Sequence, residues 1–372
     1  MNDESKSWYT VSNVQEIASP ALLVYPDRIE ENLKRMVNLV GGVQRLRPHV
    51  KTHKLAEVIR LQMAMGIAKF KCATIAEAEM VAGCGAADIL LAYQPVGPNV
   101  SRLAELARAF PWTKFSAVAD DAAVIRSLSE TFSEAGLEIE LLLDIDCGMH
   151  RCGVAPGPEA VELYRLIATS TALKPGGLHV YDGHIHNSAL SERTAICDAA
   201  FAPVRALRAE LERSGFSVPR IVAGGTPTFP IHARNPDVEC SPGTCILSDF
   251  GYASKLPDMD FLPAALVLTR IISKPGPNRL CLDLGHKAIA SENPHPRVHF
   301  PDLPEANAVV HSEEHLVVET AQAGQFAVGD CFYGVPRHIC PTVALHAEAV
   351  VITNSQAEDR WRIAARNRKL TI

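Results

Sequence analysis

Hydrophobic runs and helical patterns alternate regularly between residues 20 and 250. Short apolar runs predict buried β-strands, and the longer segments between them carry apolar residues at helical spacing. The predicted strands are residues 21–25, 69–74, 88–93, 114–119, 138–146, 176–181 and 220–224. The predicted helices are residues 28–40, 55–65, 75–82, 121–133, 158–168 and 191–214. About eight strand–helix steps indicate a (β/α)8 barrel, although a doubly wound sheet has the same alternation.

The pattern changes after about residue 255. Helical periodicity nearly disappears, and short β-type runs follow, several of them separated by turns rich in Pro and Gly. These runs are AALVLTRIIS, RLCLDLG, EEHLVVET, EAVVITN and RWRIAA. We therefore predict two domains, a barrel over residues 16–255 and an all-β domain over residues 256–372. Residues 1–15 are a candidate segment for pairing with the second domain.

Composition and charge narrow the class of protein. The chain has 372 residues, of which 47% are hydrophobic, enough for a large core. The net charge is −6 with mixed signs and no basic tract, so we expect no nucleic-acid partner. No apolar run reaches about 18 residues and the N-terminus lacks an apolar signal core, which predicts no membrane partner and a cytoplasmic location. The ten cysteines are scattered, as expected for reduced thiols.

Several unusual polar residues follow the predicted strands. In a barrel, the residues just beyond the carboxyl ends of the strands line the active site. The residues found at these ends are Lys51, Arg151, His184, His186, Thr226, Gly243 and Thr244. We expect them to converge on one site, in which His184 or His186 is the candidate for proton transfer.

Lys51 lies in the basic stretch RLRPHVKTHK, residues 45–54. A lysine amine attacks an aldehyde only when it is unprotonated. Burial favours the unprotonated form, as do the cations nearby in the sequence, Arg47, His49, His53 and Lys54. This pattern suits a Schiff-base lysine, but a surface loop with a chance basic cluster explains it equally well.

Two glycine-containing turns, GGTPT and SPGTC, resemble phosphate-binding loops. Glycine allows backbone N–H groups to approach an anion, and the Thr hydroxyls add further donors. Each turn alone is weak evidence, since such sequences are common in ordinary turns. Combined with a Schiff-base lysine, they indicate an aldehyde cofactor that carries a phosphate, which describes pyridoxal phosphate (PLP).

The sequence His338–Ile339–Cys340 offers two metal ligands. In an extended strand, residues i and i+2 lie on the same side, and imidazole with thiolate suits zinc. A strand with one buried Cys and one hydrogen-bonded His is the alternative explanation. His346 is a weaker additional candidate.

These motifs occur in one order along the chain: RPHVKTHK, DCGMHRCG, YDGHIH, GGTPT, SPGT, SEEH and HIC. In this order they resemble the D-threonine aldolase / D-serine dehydratase family, over about residues 18–350. The resemblance implies a PLP enzyme of fold type III, in which an alanine-racemase-like barrel precedes an all-β C-terminal domain. It also implies a homodimer.

The resemblance further implies a role for each matched residue. Lys51 forms the Schiff base with PLP, and Arg151 hydrogen-bonds the pyridine nitrogen. Tyr181 lies beside the cofactor, and the phosphate-binding turns contain Gly225, Thr226, Gly243 and Thr244. The divalent metal, Zn²⁺ or else Mn²⁺ or Mg²⁺, is held by His338 and Cys340.

Two reactions on a D-β-hydroxy-α-amino acid fit this resemblance. Retro-aldol cleavage gives glycine and an aldehyde, whereas β-elimination gives a keto acid and ammonia. Dehydratases of the family carry His-x-Cys where aldolases carry His-x-Asp, so His338-x-Cys340 points to elimination. The segments SEEHLVVE and LDLGHKA are nearer to the aldolases, and we predict retro-aldol cleavage marginally ahead of elimination. An amino-acid racemase and a non-catalytic PLP-binding protein fit less well, because of the HIC pair and the long β-domain respectively.

Overall fold

The computed structural model describes residues 7–372. From Ala21 to Lys255 the chain alternates between strands and helices. The strands are β1 (Ala21–Val24), β2 (Lys69–Cys72), β3 (Asp88–Leu91), β4 (Lys114–Ala119), β5 (Ile139–Ile145), β6 (Leu173–Val180), β7 (Ile221–Ala223) and β8 (Val238–Cys240). The helices are α1 (Pro26–Val40), α2 (Ala56–Ala64), α3 (Ile75–Gly83), α4 (Pro98–Ala109), α5 (Ala122–Glu134), α6 (Pro158–Thr169), α7 (Leu190–Arg213), α8 (Phe229–His232) and α9 (Phe250–Lys255). Among residues 7–372, no helix has both the length and the apolar character that crossing a membrane requires.

Strands β2 to β8 form one parallel sheet, in which each strand pairs with the next along the chain. Residues 46–49 close this sheet, because they bridge β8 on one side and β2 on the other. The N–H of Arg47 donates to the carbonyl of Cys240 at 2.9 Å, and the N–H of Lys71 donates to the carbonyl of Pro48 at 2.9 Å. The predicted barrel is confirmed, with residues 46–49 in the eighth position. The doubly wound alternative is wrong.

The first predicted strand does not belong to the barrel. Strand β1 pairs in parallel with a late strand that begins at Glu348, and it pairs antiparallel with another that begins at Ala265. The prediction that residues 21–25 open the barrel is therefore corrected. A short apolar run indicates a buried strand but does not say which sheet buries it.

The remaining strands form the second, mostly β domain. They are β9 (Ala265–Gly276), β10 (Arg279–Leu282), β11 (Val298–His299), β12 (Asn307–His311), β13 (Leu316–Glu319), β14 (Cys331–Pro336), β15 (Glu348–Thr353) and β16 (Gln356–Arg362), and helix α10 (Ile339–Leu345) follows β14. The sheet order is β12-β13-β10-β9-β1-β15-β16, with β14 also paired to β9. All five predicted β-type runs are strands of this sheet, namely β9, β10, β13, β15 and β16.

The described part of the N-terminal segment packs on the β-domain. The N–H of Ser12 donates to the carbonyl of Ser355 at 2.8 Å, and the N–H of Val11 donates to the hydroxyl of Tyr333 at 3.1 Å. Residues 1–6 lie outside the described residues, and the prediction for residues 1–15 stays a prediction. The predicted domain limits at residues 16, 255 and 256 stay predictions.

The barrel interior changes character from one end to the other. At the amino ends of the strands, buried Arg47 forms ion pairs of 2.7 Å with both Asp88 and Glu239. The middle is filled by an apolar cluster of Leu90, Val118, Leu142 and Val222. Polar side chains reappear at the carboxyl ends, which places them around a cavity.

Candidate active site

One cavity at the carboxyl ends of the barrel strands collects most of the predicted site residues. The predicted residues that line it are Lys51, Tyr181, Gly225, Thr226, Gly243, Thr244, His338 and Cys340. Arg151 reaches the same place, because its guanidinium carbon lies 4.7 Å from the centre of the Tyr181 ring. The convergence expected from the strand ends is therefore present in the fold, and the β-domain adds His338 and Cys340.

Lys51 occupies a single 3-10 turn, Val50–Thr52, directly after the segment that closes the barrel. Its backbone N–H donates to Nδ1 of His49 at 3.4 Å, and its Nζ lies 5.5 Å from the centre of the Tyr181 ring. Of the cations nearby in the sequence, His49 and Lys54 line the same cavity as this amine. Arg47 is ion-paired at the amino end of the barrel, and Lys54 is ion-paired with Glu77.

A further cation of this cavity comes from strand β2. Lys71 lines the cavity, is 2% exposed, and has its Nζ 6.0 Å from the centre of the Tyr181 ring. Burial lowers the pKa of Lys71 to about 7, and the charge of Lys51 contributes. The sequence analysis missed Lys71, although the alternation in KFKC already placed Lys69 and Lys71 on one face of β2.

The two glycine-containing turns are joined by one side chain. The hydroxyl oxygen of Thr226 accepts hydrogen bonds from the N–H of Thr244 at 3.1 Å and from the N–H of Gly243 at 3.4 Å. A Cβ at Gly243 would lie 3.0 Å from Oγ1 of Thr52, and one at Gly225 would lie 3.2 Å from the Tyr181 ring. A side chain at either position would therefore make a tight contact that its neighbour would have to relieve, which favours glycine.

His338 and Cys340 lie together, but not on a strand as predicted. Strand β14 ends at Pro336, His338 is the N-cap of α10, and Cys340 lies in the first helical turn. Burial alone would raise the pKa of the Cys340 thiol, but its hydrogen bond with His338 and the charge of His338 lower it. Burial opposes the charged imidazole, yet Cys340 and Glu292 raise the pKa of His338 to about 9. Each group thus shifts the pKa of the other in the direction that favours a thiolate beside an imidazolium.

The helix at this position depends on a carboxylate from another part of the chain. Asp249 accepts a hydrogen bond from the N–H of Ile339 at 3.1 Å and another from the N–H of Tyr252 at 2.9 Å. It therefore caps both α9 and α10. Burial raises the pKa of Asp249 to about 6. No local sequence pattern predicts a capping residue that lies so far away along the chain.

The two candidate proton-transfer histidines do not line the same cavity. Nε2 of His184 is 3.1 Å from the position that a Cβ on Gly148 would occupy, and His184 does not line the cavity. His186 lines an adjoining cavity that shares Tyr252 and His338 with the first. The catalytic role of His184 stays a prediction.

A buried polar cluster includes Thr228 of the GGTPT turn. Nε2 of His232 and Oδ2 of Asp182 are 2.7 Å apart, and the Thr228 hydroxyl donates to Oδ1 of Asp182 at 2.8 Å. Cys197 lies 3.7 Å from Asp182, so one His, one Cys and one carboxylate oxygen fall within 4.8 Å of one another. Burial raises the pKa of the Cys197 thiol, and the short distances are those of hydrogen bonds.

The cavity suits an anionic aldehyde cofactor. Lys51, Lys71 and Arg151 lie around the Tyr181 ring, and in the part of the chain that the structure describes none has a carboxylate oxygen within 4.0 Å. At the amino end of the barrel, by contrast, Arg47 has two carboxylate partners. Basic side chains without carboxylate partners beside two closely packed glycine-containing turns are the arrangement expected for a phosphate and a carboxylate.

Comparison with protein families agrees with this architecture. Residues 24–248 match the model described as "Alanine racemase, N-terminal domain", and residues 264–352 match the "Putative serine dehydratase domain". The fold and cavity are thus those of an alanine-racemase-like barrel enzyme with a C-terminal β-domain.

Comparison with individual proteins narrows the class of enzyme. The chain is 30% identical to a D-threonine aldolase of Arthrobacter sp. over 94% of this chain and 93% of the relative. It is 28% identical to a 3-hydroxy-D-aspartate aldolase of Paracoccus denitrificans, over 95% and 93%. The crystal structure of D-threonine aldolase from Filomicrobium marinum superposes with a TM-score of 0.88 at 28% identity, covering 94% of this chain and 95% of the other. The chain belongs to the D-threonine aldolase / D-serine dehydratase family of PLP-dependent lyases, whose substrates are D-hydroxy amino acids.

Proposed function

We propose that this lyase is PLP- and divalent-metal-dependent and cleaves D-β-hydroxy-α-amino acids by a retro-aldol reaction to glycine and an aldehyde. The observation that carries the proposal is the shared cavity. Lys51, Lys71 and Arg151 lie around the Tyr181 ring of this cavity without carboxylate partners among the described residues, and Cys340 and His338 line the same cavity.

The chain's own groups divide into those that hold the cofactor and those that activate the substrate. When bound, PLP supplies an aldehyde for an amine and a ring that takes up electrons from the breaking bond. In this proposal Lys51 supplies the amine, and the guanidinium of Arg151 donates to the pyridine nitrogen. Because a guanidinium has no proton to give up at neutral pH, this nitrogen stays unprotonated and the ring is a weaker electron acceptor. The two turns that contain Gly225, Thr226, Gly243 and Thr244 would hold the phosphate.

The metal pair compensates for that weaker acceptor. His338 and Cys340 would hold a divalent ion, which would supply Lewis acidity for removing the proton of the substrate β-hydroxyl. A thiolate with an imidazole favours zinc over manganese or magnesium. For proton transfer we retain His184 as the predicted residue.

A second reaction is favoured by one specific observation. The metal pair is His338-x-Cys340, which resembles the dehydratase branch rather than the aldolase branch. In β-elimination, the amine of Lys51 would remove the α-proton, and a divalent ion held by His338 and Cys340 would supply Lewis acidity for the departing hydroxyl group. The products are then a keto acid and ammonia.

Product analysis tests both reactions in one experiment. Purified protein with PLP and added zinc or manganese is incubated with D-threonine and with D-serine in parallel, and L-threonine is the control. We expect glycine and acetaldehyde from D-threonine only, loss of turnover after EDTA, and recovery with a divalent ion. Pyruvate and ammonia from D-serine, without glycine from D-threonine, would make the enzyme a dehydratase. Full turnover in metal-free protein would refute the metal part.

The adjoining cavity suggests a third substrate for the same assay. Beyond His338 it is lined by Lys255 and Arg337, whose positive charges suit a carboxylate on the substrate β-carbon. We therefore include 3-hydroxy-D-aspartate, for which retro-aldol cleavage gives glycine and glyoxylate.

A further inference from the structure

We infer that two threonines of the barrel, Thr52 and Thr244, orient the sulfur of Cys340 for metal binding through their hydroxyl groups. Both are positioning residues, because they act through Cys340 and not on the metal or the substrate. The inference rests on the proposed role of His338 and Cys340 as metal ligands, and it adds two residues of the other domain to that site.

Two hydroxyl groups of the barrel contact the sulfur of Cys340. Its Sγ lies 3.3 Å from Oγ1 of Thr52 and 3.5 Å from Oγ1 of Thr244. Cys340 belongs to α10 of the β-domain, whereas Thr52 ends the turn Val50–Thr52 and Thr244 lies in the SPGTC turn. Two separate segments of the barrel therefore converge on one sulfur atom of the other domain.

Neither hydroxyl has another partner in the described part of the chain. Among residues 7–372, the sulfur of Cys340 is the only group that hydrogen-bonds the hydroxyl of Thr52 or that of Thr244. Thr52 is 0% exposed and Thr244 is 8% exposed, so bulk water has little or no access to either hydroxyl. Because buried hydroxyl groups are normally hydrogen-bonded, the contact with sulfur is the one that satisfies them.

A threonine of α10 shows the usual alternative for such a hydroxyl. The side chain of Thr342 donates to the carbonyl of His338 at 2.8 Å, four residues earlier in the chain. This bond to the backbone is common for Thr in a helix. Within residues 7–372, Thr52 and Thr244 make no side-chain bond of that kind, so their hydroxyls stay available to the sulfur.

Close packing limits the positions that the Thr52 hydroxyl can take. A Cβ at Gly243 would lie 3.0 Å from Oγ1 of Thr52 and 3.1 Å from the carbonyl oxygen of His49. The backbone of the SPGTC turn therefore lies directly beside this hydroxyl. Glycine at position 243 leaves the space in which the hydroxyl reaches the sulfur.

The chemistry of a metal-bound cysteine explains why two hydroxyls suit this position. Such a cysteine is a thiolate, because its proton is released to solvent when the metal binds. A thiolate has no proton to donate, so both hydroxyls would donate to it. Their hydrogen bonds would fix the sulfur and leave a lone pair for the metal, as hydrogen-bonding partners do for other metal ligands.

Thr52 also connects the proposed metal site to the proposed cofactor site. It directly follows Lys51 in the three-residue turn Val50–Thr52. One short turn therefore carries both the amine that would hold the cofactor and a hydroxyl that supports the metal ligand. In this arrangement the metal ligand and the lysine keep a constant separation.

Zinc affinity tests the inference, measured by competition with a chromogenic chelator on purified protein that contains PLP. For Thr52→Val we expect binding weaker by about tenfold, the lower end of the usual cost of losing such a partner. Thr52→Ser keeps the hydroxyl and should bind zinc as the wild type does. Thr113→Val is the matched control, because it removes a buried hydroxyl that donates to the carbonyl of Ala86 at 2.9 Å, away from the site. It should keep the wild-type affinity.

Cobalt in place of zinc gives a measurement that a general loss of stability does not change. The absorption band that arises from electron transfer between thiolate and cobalt reports on the sulfur itself. In Thr52→Val we expect this band at longer wavelength, since a sulfur that has lost a hydrogen-bond donor holds its electrons less tightly. Thr52→Ser should restore the wild-type position of the band.

The outcomes separate a role of the hydroxyls from a role of packing. Wild-type zinc affinity with an unshifted band in Thr52→Val would overturn the inference. Equal losses of affinity in Thr52→Val and Thr52→Ser would also overturn it, because the missing methyl group and not the hydroxyl would then matter. Thr244→Val, at a less buried position, tests the same inference if circular dichroism shows that Thr52→Val does not fold.

Cys340→Ala distinguishes failure of this inference from failure of the proposed function. If this variant binds zinc as tightly as the wild type, Cys340 is not a ligand, and both proposals are refuted. If it loses zinc while Thr52→Val and Thr244→Val keep the wild-type affinity, only the role of the two threonines is refuted.

Discussion

Individual side chains divide the barrel into a neutralised end and a charged end. At the amino ends of the strands, Arg47 and Lys69 both pair with carboxylates that include Glu239. At the carboxyl ends, Lys51 and Arg151 are without such partners among the described residues. A cation without a protein partner is free to bind an anionic ligand, so the arrangement directs the ligand to one end.

Glu292 acts on the proposed metal ligands, His338 and Cys340, through its hydrogen bond with His338. Its Oε1 lies 2.5 Å from Nδ1 of His338, which fixes the ring and leaves the other nitrogen for a metal ion. We predict that Glu292→Gln weakens zinc binding by about 10–100-fold, the usual cost of losing such a partner. Competition with a chromogenic chelator measures the affinity.

The control for this prediction is Glu313→Gln, which removes a surface carboxylate paired with Lys287 on the same domain. Its zinc affinity should equal that of the wild type. Equal affinity in Glu292→Gln as well would mean that the Glu292–His338 hydrogen bond does not orient the ligand.

Residues could be predicted from sequence where a local motif marks them. Lys51 lies in a basic motif, and Gly243 lies in a recognisable turn. Lys71, Asp249 and Glu292 have no such motif, because their roles come from pairings between distant parts of the chain. Asp249 caps a helix that begins at Ile339, and Lys71 joins Lys51 in the cavity only after β2 lies beside the closing segment.

The two glycine-containing turns behave as one element because Thr226 joins them. We predict that Thr226→Val weakens PLP binding, since the N–H groups of Gly243 and Thr244 lose their common acceptor. Leaving buried donors unpaired costs about 1–3 kcal/mol, which lowers the thermal stability of the apoprotein as well. Absorbance titration with PLP gives the affinity, and differential scanning fluorimetry gives the stability.

The matched variant is Thr226→Ser, which keeps the hydroxyl and loses one methyl group. It should retain most of the affinity for PLP. If Thr226→Val binds PLP as tightly as the wild type, the hydroxyl does not organise the turns.

Elements were predictable from periodicity, but their neighbours were not. The helices α1, α2, α3, α5, α6 and α7 and the late β-type runs lie where the pattern placed them. Strand β1 joined the other sheet, because a run of buried residues fits either sheet equally well. The segment after β14 became a helix rather than a strand because Asp249 supplies its cap and Pro341 is tolerated in a first helical turn.

Residues of both domains line the cavity. Helix α10, which belongs to the β-domain, brings Cys340 to within 3.3 Å of Thr52 and 3.5 Å of Thr244 in the barrel. Neither domain alone contains both the cations and the metal pair. We therefore expect that turnover needs the two domains in one chain.

Exposed hydrophobic side chains at the rim of this cavity bear on the oligomeric state. Tyr93 lines the cavity yet is 62% exposed, and Val96 nearby in the same loop is 50% exposed. Following the family resemblance, we predict a homodimer whose second subunit covers this rim. Light scattering coupled to size exclusion should give twice the mass of the chain, and Tyr93→Glu should shift the protein toward the monomer.

Trp112→Glu is the control, because Trp112 is 67% exposed but precedes β4 at the opposite end of the barrel. That variant should remain dimeric. A fully active wild-type protein with the mass of one chain would contradict the predicted dimer.

The position of β1 constrains the order in which the protein is completed during synthesis. Leu22 pairs with Val267 on one side and with Ala349 on the other. A ribosome that has released the whole barrel sequence has therefore not yet made either partner of this strand. Strand β1 waits for both β9 and β15, so this interior strand of the β-domain has neither neighbour while the barrel is translated.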